Sequence, residues 1–221
     1  MGKVIVIDGP AGSGKSTTAI ALAKKLGFIY LDTGAMYRAV TYKFLQLGFS
    51  DFSNSSKIKN NLSNTKIDIK PAGDGLQIYL NDSDVTMQIR SDEVDGFVSE
   101  VAAVDQVREY MQELQRQFAG HFDIVAEGRD LGTYVFPDAD IKIYLVADLD
   151  IRASRRLLQK NAAADNLKAF RDNLTKRDHI DSSRKHSPLK KARDAIEVDT
   201  TDLTFDQQVE EIYEICRKKI G

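Results

Sequence analysis

The chain has 221 residues, of which 42% are hydrophobic and 29% charged, and its formal net charge is −2. These values are typical of a folded globular protein and argue against disorder, a fibrous repeat and a general affinity for nucleic acid or acidic membranes. The longest near-continuous apolar stretches, 4–7 and 141–147, are much shorter than the roughly 18 residues that suggest a membrane span. Because no apolar signal region follows the first residues, the sequence predicts a cytoplasmic protein.

The first part of the chain alternates between strand and helix patterns. Residues 3–8 form a β-branched apolar run, which is typical of a strand buried on both faces of a parallel sheet. After a glycine-rich loop, a helix is predicted for 16–26, with Gly27 at its C-terminal cap. A second strand at 28–31 and a second helix at 35–47, ended by Gly48, repeat the pattern. This alternation predicts a doubly wound α/β core.

The middle of the chain departs from this alternation. Residues 49–62 are polar and predict a loop followed by a short helix. Residues 66–70 and 76–80 alternate with a period of two across 71–75, which predicts an antiparallel hairpin with a five-residue loop. Helices are predicted at 91–104 and 105–118, with Ser91 as the N-cap of the first. The sequence therefore predicts a small β insert within the α/β order.

The last hundred or so residues return to the α/β pattern. Further buried strands are predicted at 123–126, 141–146 and 196–198, and helices at 150–160, 167–180 and 205–219. Cys216 is the single cysteine of the sequence, which excludes an internal disulfide, and we expect it to pack within the last helix.

Residues 9–16 fit the phosphate-loop pattern G-x-x-x-x-G-K-[ST] without exception, between a predicted strand and a predicted helix. Glycines let successive backbone N–H groups point inward at an anion, and the helix N-terminus adds partial positive charge. Lys15 can bridge the β- and γ-phosphates of a nucleoside triphosphate, and the Ser16 hydroxyl can ligate Mg²⁺. The predicted ATP-binding residues here are Gly9, Pro10, Ala11, Gly12, Ser13, Gly14, Lys15, Ser16 and Thr17.

Charge is distributed unevenly along the chain. Residues 152–193 contain 13 basic and four acidic side chains, a net charge of +9. Such a block can be a set of solvated helix faces, but a kinase for a small phosphate acceptor needs this charge to screen phosphoryl oxygens during transfer. A motor ATPase would need a longer chain, and a GTPase would need an Asn-Lys-x-Asp stretch, which the sequence lacks.

Four patches outside the phosphate loop combine arginine and acid with small polar residues. The first covers 31–38 at the end of the second predicted strand, where doubly wound sheets bind ligands. The second covers 98–103 with 107–108, and the third covers 127–132, after the strand at 123–126. In the fourth, Arg177, Asp181 and Arg184 are spaced i, i+4 and i+7, so that they share one face of a continuing helix.

In order and spacing, these blocks resemble the bacterial cytidylate kinases, which are nucleoside monophosphate kinases for CMP and dCMP. The resemblance is carried nearly end to end by IDGPAGSGKST, LDTGAMYR, VSEVAA with VR, EGRDLGTYVFPDADIKIYL, the RR of SRRL and the R-D-x-x-D-x-x-R run. It implies an α/β P-loop kinase with a doubly wound parallel five-stranded sheet, a monophosphate-binding domain that carries the small antiparallel β insert, and a short helical lid. It also implies a single unit over 1–221, with the core at about 1–42, 119–153 and 186–221, the monophosphate-binding segment at about 43–118 and the lid at about 154–185.

The resemblance also implies roles for individual residues. Cytosine offers two acceptors and one amine donor, which an arginine and a carboxylate match, and the implied base contacts are Thr33, Ser99, Arg108 and Asp130. The implied phosphate and sugar contacts are Arg38, Arg129, Arg184, Arg177 and Asp181, while Arg155 and the ATP-binding Arg156 belong to the mobile lid. The implied catalytic residues are Lys15, Arg129, Arg155 and Arg184.

Some of these residues have simpler explanations, which stay open at this point. Arg177 and Asp181 can form an i,i+4 surface pair, and Ser99 can be an ordinary helix residue. Thr33 and Asp32 can cap the helix that starts near Gly34.

The implied reaction is in-line transfer of the γ-phosphoryl group of MgATP to CMP or dCMP, giving ADP and CDP or dCDP. Mg²⁺ is the implied cofactor, with Ser16 as its ligand and with Asp32 and Glu127 as hypothetical partners of its water ligands. The implied partners are ATP and CMP or dCMP, with no nucleic acid and no membrane, and the resemblance implies a monomer. Two alternatives stay open: another small-molecule kinase, with UMP, AMP or shikimate as acceptor, and a module that uses ATP as a switch.

Overall fold

The computed structural model describes residues 2–73, 75–160 and 163–220. Within these residues the strands are β1 (Val4–Asp8), β2 (Ile29–Asp32), β3 (Ile67–Ala72), β4 (Gly75–Leu80), β5 (Ser83–Asp84), β6 (Ile124–Glu127), β7 (Ile141–Val146) and β8 (Ile196–Asp199). The α-helices are α1 (Lys15–Leu26), α2 (Thr33–Gln46), α3 (Ser55–Ser63), α4 (Asp92–Val101), α5 (Asp105–Ala119), α6 (Leu149–Gln159), α7 (Leu167–Ser183) and α8 (Phe205–Ile220). Short 3-10 turns lie at Gln88–Arg90 and Ala164–Asn166, and a π-helical turn lies at Leu131–Val135.

A parallel sheet in the order β2-β6-β1-β7-β8 forms the centre of the described structure. Every residue of the central strand β1 is buried, because helices cover both faces of the sheet. Ile5 and Ile7 pack with α1 and α8 on one face, whereas Val6 packs with Phe44 of α2 and Met111 of α5 on the other. The predicted five-stranded, doubly wound α/β sheet is therefore confirmed.

The carboxyl ends of β1, β2 and β6 lie side by side. The strand register pairs Asp32 with Glu127, and it pairs Ile7, one residue before the end of β1, with the same Glu127. The loops that follow these strands therefore meet at one edge of the sheet, where doubly wound sheets bind their ligands.

The β insert is an antiparallel sheet in the order β3-β4-β5. The predicted hairpin is confirmed, but its predicted five-residue loop is wrong, because Pro71 pairs with Leu76 and Ala72 pairs with Gly75. Proline is tolerated here since β3 is an edge strand, which can accommodate a residue without an N–H group. Asp74, which belongs to the predicted loop, lies outside the described residues.

The predicted helices are confirmed, with differences at their ends. The hydroxyl of Ser91 accepts from the N–H of Val94 at the start of α4, as predicted. That helix ends at Val101 rather than at residue 104, because Val104 has an extended backbone and caps α5. Cys216 is buried in α8, as expected. In the part of the chain that is described, no helix is both long enough and apolar enough to cross a membrane.

A small apolar cluster joins the helix pair α6 and α7 to the loop after β1. Ala11, Ala153 and Leu174 are buried against one another, and Leu149 and Phe170 pack around them. The basic helices therefore rest directly on the predicted phosphate loop.

Candidate active site

The phosphate loop, residues 9–16, connects β1 to α1. The backbone angle φ is +147° at Gly9, +78° at Gly12 and +91° at Gly14, values that residues with a side chain rarely adopt. A Cβ atom at Gly9 would lie only 2.2 Å from the carbonyl oxygen of Leu145. These glycines allow the tight turn that brings backbone N–H groups and the N-terminus of α1 around an anion.

Lys15 begins α1, and its ammonium group folds back onto the loop. Nζ donates to the carbonyl oxygen of Pro10 at 2.6 Å and lies 3.4 Å from Oγ of Ser13. Burial, together with the positive charge of Arg129, lowers the pKa of Lys15 to about 7. A phosphate group beside Nζ would favour the charged form, so anion binding and protonation of this lysine support each other.

A cleft of about 890 Å³ extends from the phosphate loop to α7, and its volume lies in the range of small-molecule sites. Most of the predicted site residues line it: Ala11, Gly12, Gly14, Lys15, Ser16, Thr17, Asp32, Thr33, Arg38, Ser99, Arg108, Glu127, Arg129, Asp130, Arg155, Arg156, Arg177, Asp181 and Arg184. Gly9, Pro10 and Ser13 shape the loop without lining the cleft. Folding therefore brings the predicted donor and acceptor residues to one cavity.

Arg108 and Asp130 form a buried ion pair in the wall of the cleft, and they are only 2% and 4% exposed. Arg108 also donates from Nη1 to the carbonyl oxygen of Ala102 at 3.1 Å, and its guanidinium lies 5.6 Å from the ring centre of Tyr37. Its Nε makes no hydrogen bond to any described residue. The pair thus places a guanidinium next to a carboxylate in the cleft wall, a combination suited to a flat ligand with both acceptors and donors.

Gln115 of α5 is a polar residue of the cleft that sequence reasoning did not single out. It is buried, and its carboxamide lies beside the Tyr37 hydroxyl without making a well-formed hydrogen bond to the described residues. No motif marks this glutamine, although its spacing of seven residues from Arg108 places both on one face of the helix.

Asp181 of α7 binds two arginines from different elements. Its carboxylate pairs with Arg184 and accepts from Nε of Arg129 at 3.0 Å. Although burial opposes its ionisation, Arg129 and Arg184 hold the pKa of Asp181 below its usual range. Arg177, one turn earlier, has its pKa lowered to about 10 by burial and by Arg129. Because this carboxylate is buried and bonded to Arg129, the simpler alternative of a surface pair with Arg177 does not describe it.

Asp95 of α4, which the sequence did not mark, binds basic side chains from three other helices. Its carboxylate pairs with Arg38 of α2 at 2.5 Å and with Arg156 of α6 at 3.0 Å. Lys160 lies 3.4 Å away, and Arg177 of α7 lies 4.0 Å away. Three arginines that were predicted to bind ligands therefore converge on one internal carboxylate.

The remaining predicted residues have specific local partners. Thr33 donates its hydroxyl to the carbonyl oxygen of Glu127 at 2.6 Å, while Asp32 supplies the helix cap by accepting from the N–H of Ala35 at 2.8 Å. Ser99 is buried at the cleft wall. Arg155 donates to the hydroxyl and the carbonyl oxygen of Thr200, at 2.9 and 2.6 Å, and so is held against the main sheet.

Asp8 positions the loop that carries Arg129 and Asp130. This carboxylate is buried at the end of β1, and it accepts from the N–H groups of Leu131 at 3.0 Å and Gly132 at 2.8 Å. Burial raises the pKa of Asp8 to about 6. The sequence presented Asp8 only as the end of a strand, so this contact was not predicted.

Oxygen donors collect beside Ser16. The side chain of Ser16 hydrogen-bonds Glu127, and burial together with the charge of Asp32 raises the pKa of Glu127. Asp32 pairs in turn with Arg90 at 2.9 Å, a cleft residue that the sequence analysis did not name. Hydroxyl and carboxylate oxygens are the hard ligands that Mg²⁺ prefers, so the residues present fit this cation.

Comparison with known proteins gives a consistent result. The chain matches the family model described as cytidylate kinase over residues 5–218. A cytidylate kinase of Carboxydothermus hydrogenoformans is 49% identical over 97% of this chain and 97% of that protein, and one of Listeria welshimeri is 46% identical over 98% and 97%. A solved structure of an uncharacterized protein from Eubacterium ventriosum has a TM-score of 0.50 and 14% identity, over 98% of this chain and 96% of that chain, which is a likeness of fold. This chain belongs to the cytidylate kinase family.

Proposed function

We propose that this protein transfers the γ-phosphoryl group of MgATP to CMP or dCMP, giving ADP and CDP or dCDP. The observation that carries the proposal is that Lys15 of the phosphate loop and the buried Arg108–Asp130 pair line the same cleft. Membership of the cytidylate kinase family supports the same reaction. With donor and acceptor in one cavity, the acceptor phosphate can attack in line, and no covalent intermediate on the protein is needed.

In this proposal Arg108 and Asp130 recognise the base. The guanidinium donates to the ring nitrogen and carbonyl of cytosine, and the carboxylate accepts from the exocyclic amine. Uracil has a carbonyl in place of that amine and would present an acceptor to the carboxylate, so the pair favours cytosine. Thr33 and Ser99 complete the proposed base site.

The acceptor's phosphate is held by Arg38, Arg129 and Arg184, and its sugar lies at Arg177 and Asp181. Their positive charge screens the repulsion between the two phosphates as they approach. Phosphate oxygens that are already ionised at neutral pH are competent nucleophiles, so the proposed reaction requires no general base.

On the donor side, the phosphate loop binds the triphosphate and Lys15 bridges its β- and γ-phosphates. Ser16 is the proposed ligand of Mg²⁺, and Asp32 and Glu127 hold its water ligands. Bound Mg²⁺ supplies positive charge that neutralises the β- and γ-phosphate oxygens. Arg155 and Arg156 are proposed to contact the triphosphate, for which their side chains must exchange Thr200 and Asp95 for phosphate oxygens.

The test is the steady-state rate of ADP formation from MgATP, with CMP, dCMP, UMP, AMP and GMP supplied separately at matched concentration. We expect rapid turnover with CMP and dCMP, slower turnover with UMP and little with the purine nucleotides. A highest rate with UMP or AMP would favour a different small-molecule kinase. Slow turnover that no monophosphate accelerates would favour an ATP-dependent switch module.

We also propose that residues at about 43–118 form a monophosphate-binding segment and that residues at about 154–185 form a lid. The proposal further includes a monomeric state and a cytoplasmic location. Light scattering on the purified protein tests the monomer, and limited proteolysis with and without nucleotides tests the lid, which we expect to be cut more slowly when both nucleotides are bound.

A further inference from the structure

Asp178 of α7 contacts the backbone of the phosphate loop. Its Oδ1 accepts from the N–H of Ala11 at 3.1 Å, and its Oδ2 accepts from Nη1 of Arg152 at 2.5 Å. The same Nη1 donates to the carbonyl oxygen of Ala11 at 3.0 Å. One ion pair between α6 and α7 therefore binds both backbone polar groups of a phosphate-loop residue.

Arg152 is itself fixed against the loop and the main sheet. Its Nε donates to the carbonyl oxygen of Ala147 at 3.0 Å, and its backbone lies so close to the loop that a Cβ at Gly12 would be 3.2 Å from Arg152 atoms. The apolar contact among Ala11, Ala153 and Leu174 presses the same surfaces together. These contacts thus fix Asp178 and the phosphate loop relative to each other.

The same helix reaches the acceptor side of the cleft. Arg177 directly precedes Asp178, and Asp181 follows it by less than one turn and binds Arg129 at 3.0 Å. Because a helical turn moves as a rigid unit, a ligand that fixes Arg177 and Asp181 also fixes Asp178. Neither Arg152 nor Asp178 was among the residues that the sequence predicted for the site.

We propose that Arg152 and Asp178 are positioning residues that couple acceptor binding on α7 to the conformation of the phosphate loop. The inference rests on the proposed function, because that function assigns the sugar and phosphate of the acceptor to α7. Binding of CMP restrains α7 through Arg177 and Asp181, and the contact of Asp178 with Ala11 then restrains the loop in the shape that receives the triphosphate. ATP consequently loses less conformational freedom on binding, and by linkage ATP strengthens CMP binding by the same factor.

The experiment measures the dissociation constant of β,γ-imido-ATP with Mg²⁺ by calorimetry, with and without saturating CMP. The ratio of the two constants is the coupling factor. For the unmodified protein we expect a factor on the order of ten, in favour of tighter binding with CMP. In Asp178→Asn the factor falls close to one, because the amide pairs weakly with Arg152 and its orientation is no longer fixed by charge.

A merely structural role would give a different result. If Asp178 only supports the loop, Asp178→Asn weakens the analogue equally with and without CMP, and the unchanged ratio overturns the proposal. A ratio of one in the unmodified protein overturns it as well. Arg152→Lys, which keeps the charge but loses the paired contacts to Ala11 and Asp178, provides a second variant that should also lower the ratio.

The matched control is Asp172→Asn, which makes the same charge change at an exposed position of α7. We expect its coupling factor to equal that of the unmodified protein, and thermal denaturation establishes that all variants are folded. If CMP fails to bind and fails to stimulate ADP formation, the proposed function and the coupling both fall. If CMP stimulates ADP formation but the ratio does not respond to Asp178→Asn, only the coupling is refuted.

Discussion

The proposed donor and acceptor sides of the cleft are constructed differently. The phosphate loop is one contiguous stretch between β1 and α1, and left-handed glycine conformations determine its shape. The acceptor side joins residues far apart in the chain, such as Arg108 with Asp130, 22 residues apart, and Arg129 with Asp181, 52 residues apart. Backbone geometry therefore specifies the donor side, whereas buried ion pairs specify the acceptor side. Changes of side-chain charge and changes of backbone freedom should thus affect the two nucleotides differently.

The largest effect that separates the two sides is expected from Arg108→Met. The variant removes the proposed donor to the base and leaves Asp130 buried without its partner. Breaking a buried ion pair in this way typically lowers the free energy of unfolding by roughly 3–5 kcal/mol. We expect CMP affinity to fall at least on the order of 100-fold while ATP affinity changes little, as measured by calorimetry. Arg116→Met makes the same substitution on α5 outside the cleft and should leave CMP affinity unchanged. Equal losses for both nucleotides would remove Arg108 from the acceptor side.

The corresponding change on the donor side is Gly9→Ala. The new Cβ would collide with the carbonyl oxygen of Leu145 at 2.2 Å, so the loop must shift, and we expect ATP binding to be lost before CMP binding. Gly27→Ala is the control, because φ there is +70° but no atom of the described residues lies within 4 Å of the added Cβ. Urea denaturation should show that the free energy of unfolding falls by about 1 kcal/mol in the control and by at least twice that in Gly9→Ala. Similar losses in the two variants would contradict a tightly confined loop.

Proton uptake on ATP binding is a third property that should distinguish the donor side of the cleft from the acceptor side. The pKa of Lys15 is about 7 in the free protein, and the negative charge of the triphosphate should raise it. At a pH between the free and the raised pKa, ATP binding is therefore accompanied by uptake of a proton. Above pH 7 ATP binding should therefore take up protons, and ATP affinity should fall as the pH rises. Calorimetry in buffers of different ionisation enthalpy measures this uptake. Lys15→Arg should abolish it, and an uptake that persists in this variant would assign the proton to another group.

The smallest effect concerns Asp95, which pairs with Arg38 and Arg156 and in the proposed reaction would compete with phosphate for them. Asp95→Asn frees these cations, and we expect CMP to bind roughly threefold more tightly, in keeping with the modest energy of partly exposed ion pairs. Asp92→Asn, one turn earlier in the chain, is the matched control, because its 92% exposed carboxylate binds only Lys160 among the described contacts. Weaker CMP binding in Asp95→Asn would mean that this carboxylate organises the arginines rather than competing for them.

Local patterns were sufficient to predict the α/β order, the phosphate loop and the elements that carry Arg108, Asp130 and Asp181. These features depend on strand and helix periodicity or on a contiguous motif, which a sequence displays directly. The predicted five-residue hairpin loop was wrong because Pro71 and the nearby glycines favour turns, yet cross-strand pairing outweighed that preference.

The contacts of Asp95, Asp178 and Gln115 could not be predicted in the same way. Each depends on how helices pack against one another or against the phosphate loop, and an isolated acid or glutamine on a helix is most often solvated. The ion pairs of Asp95 became visible only when the structure placed Arg38, Arg156 and Arg177 around this carboxylate.

In the proposed reaction, one cleft brings the γ-phosphate of ATP to the phosphate of a cytidine nucleotide. The most direct measurement follows the label from γ-³²P-ATP, with Mg²⁺ and CMP, and separates CDP from inorganic phosphate over time. We expect the label to enter CDP, with one CDP formed for each ADP. Release of the label as inorganic phosphate, at a rate that CMP does not change, would contradict the proposed reaction.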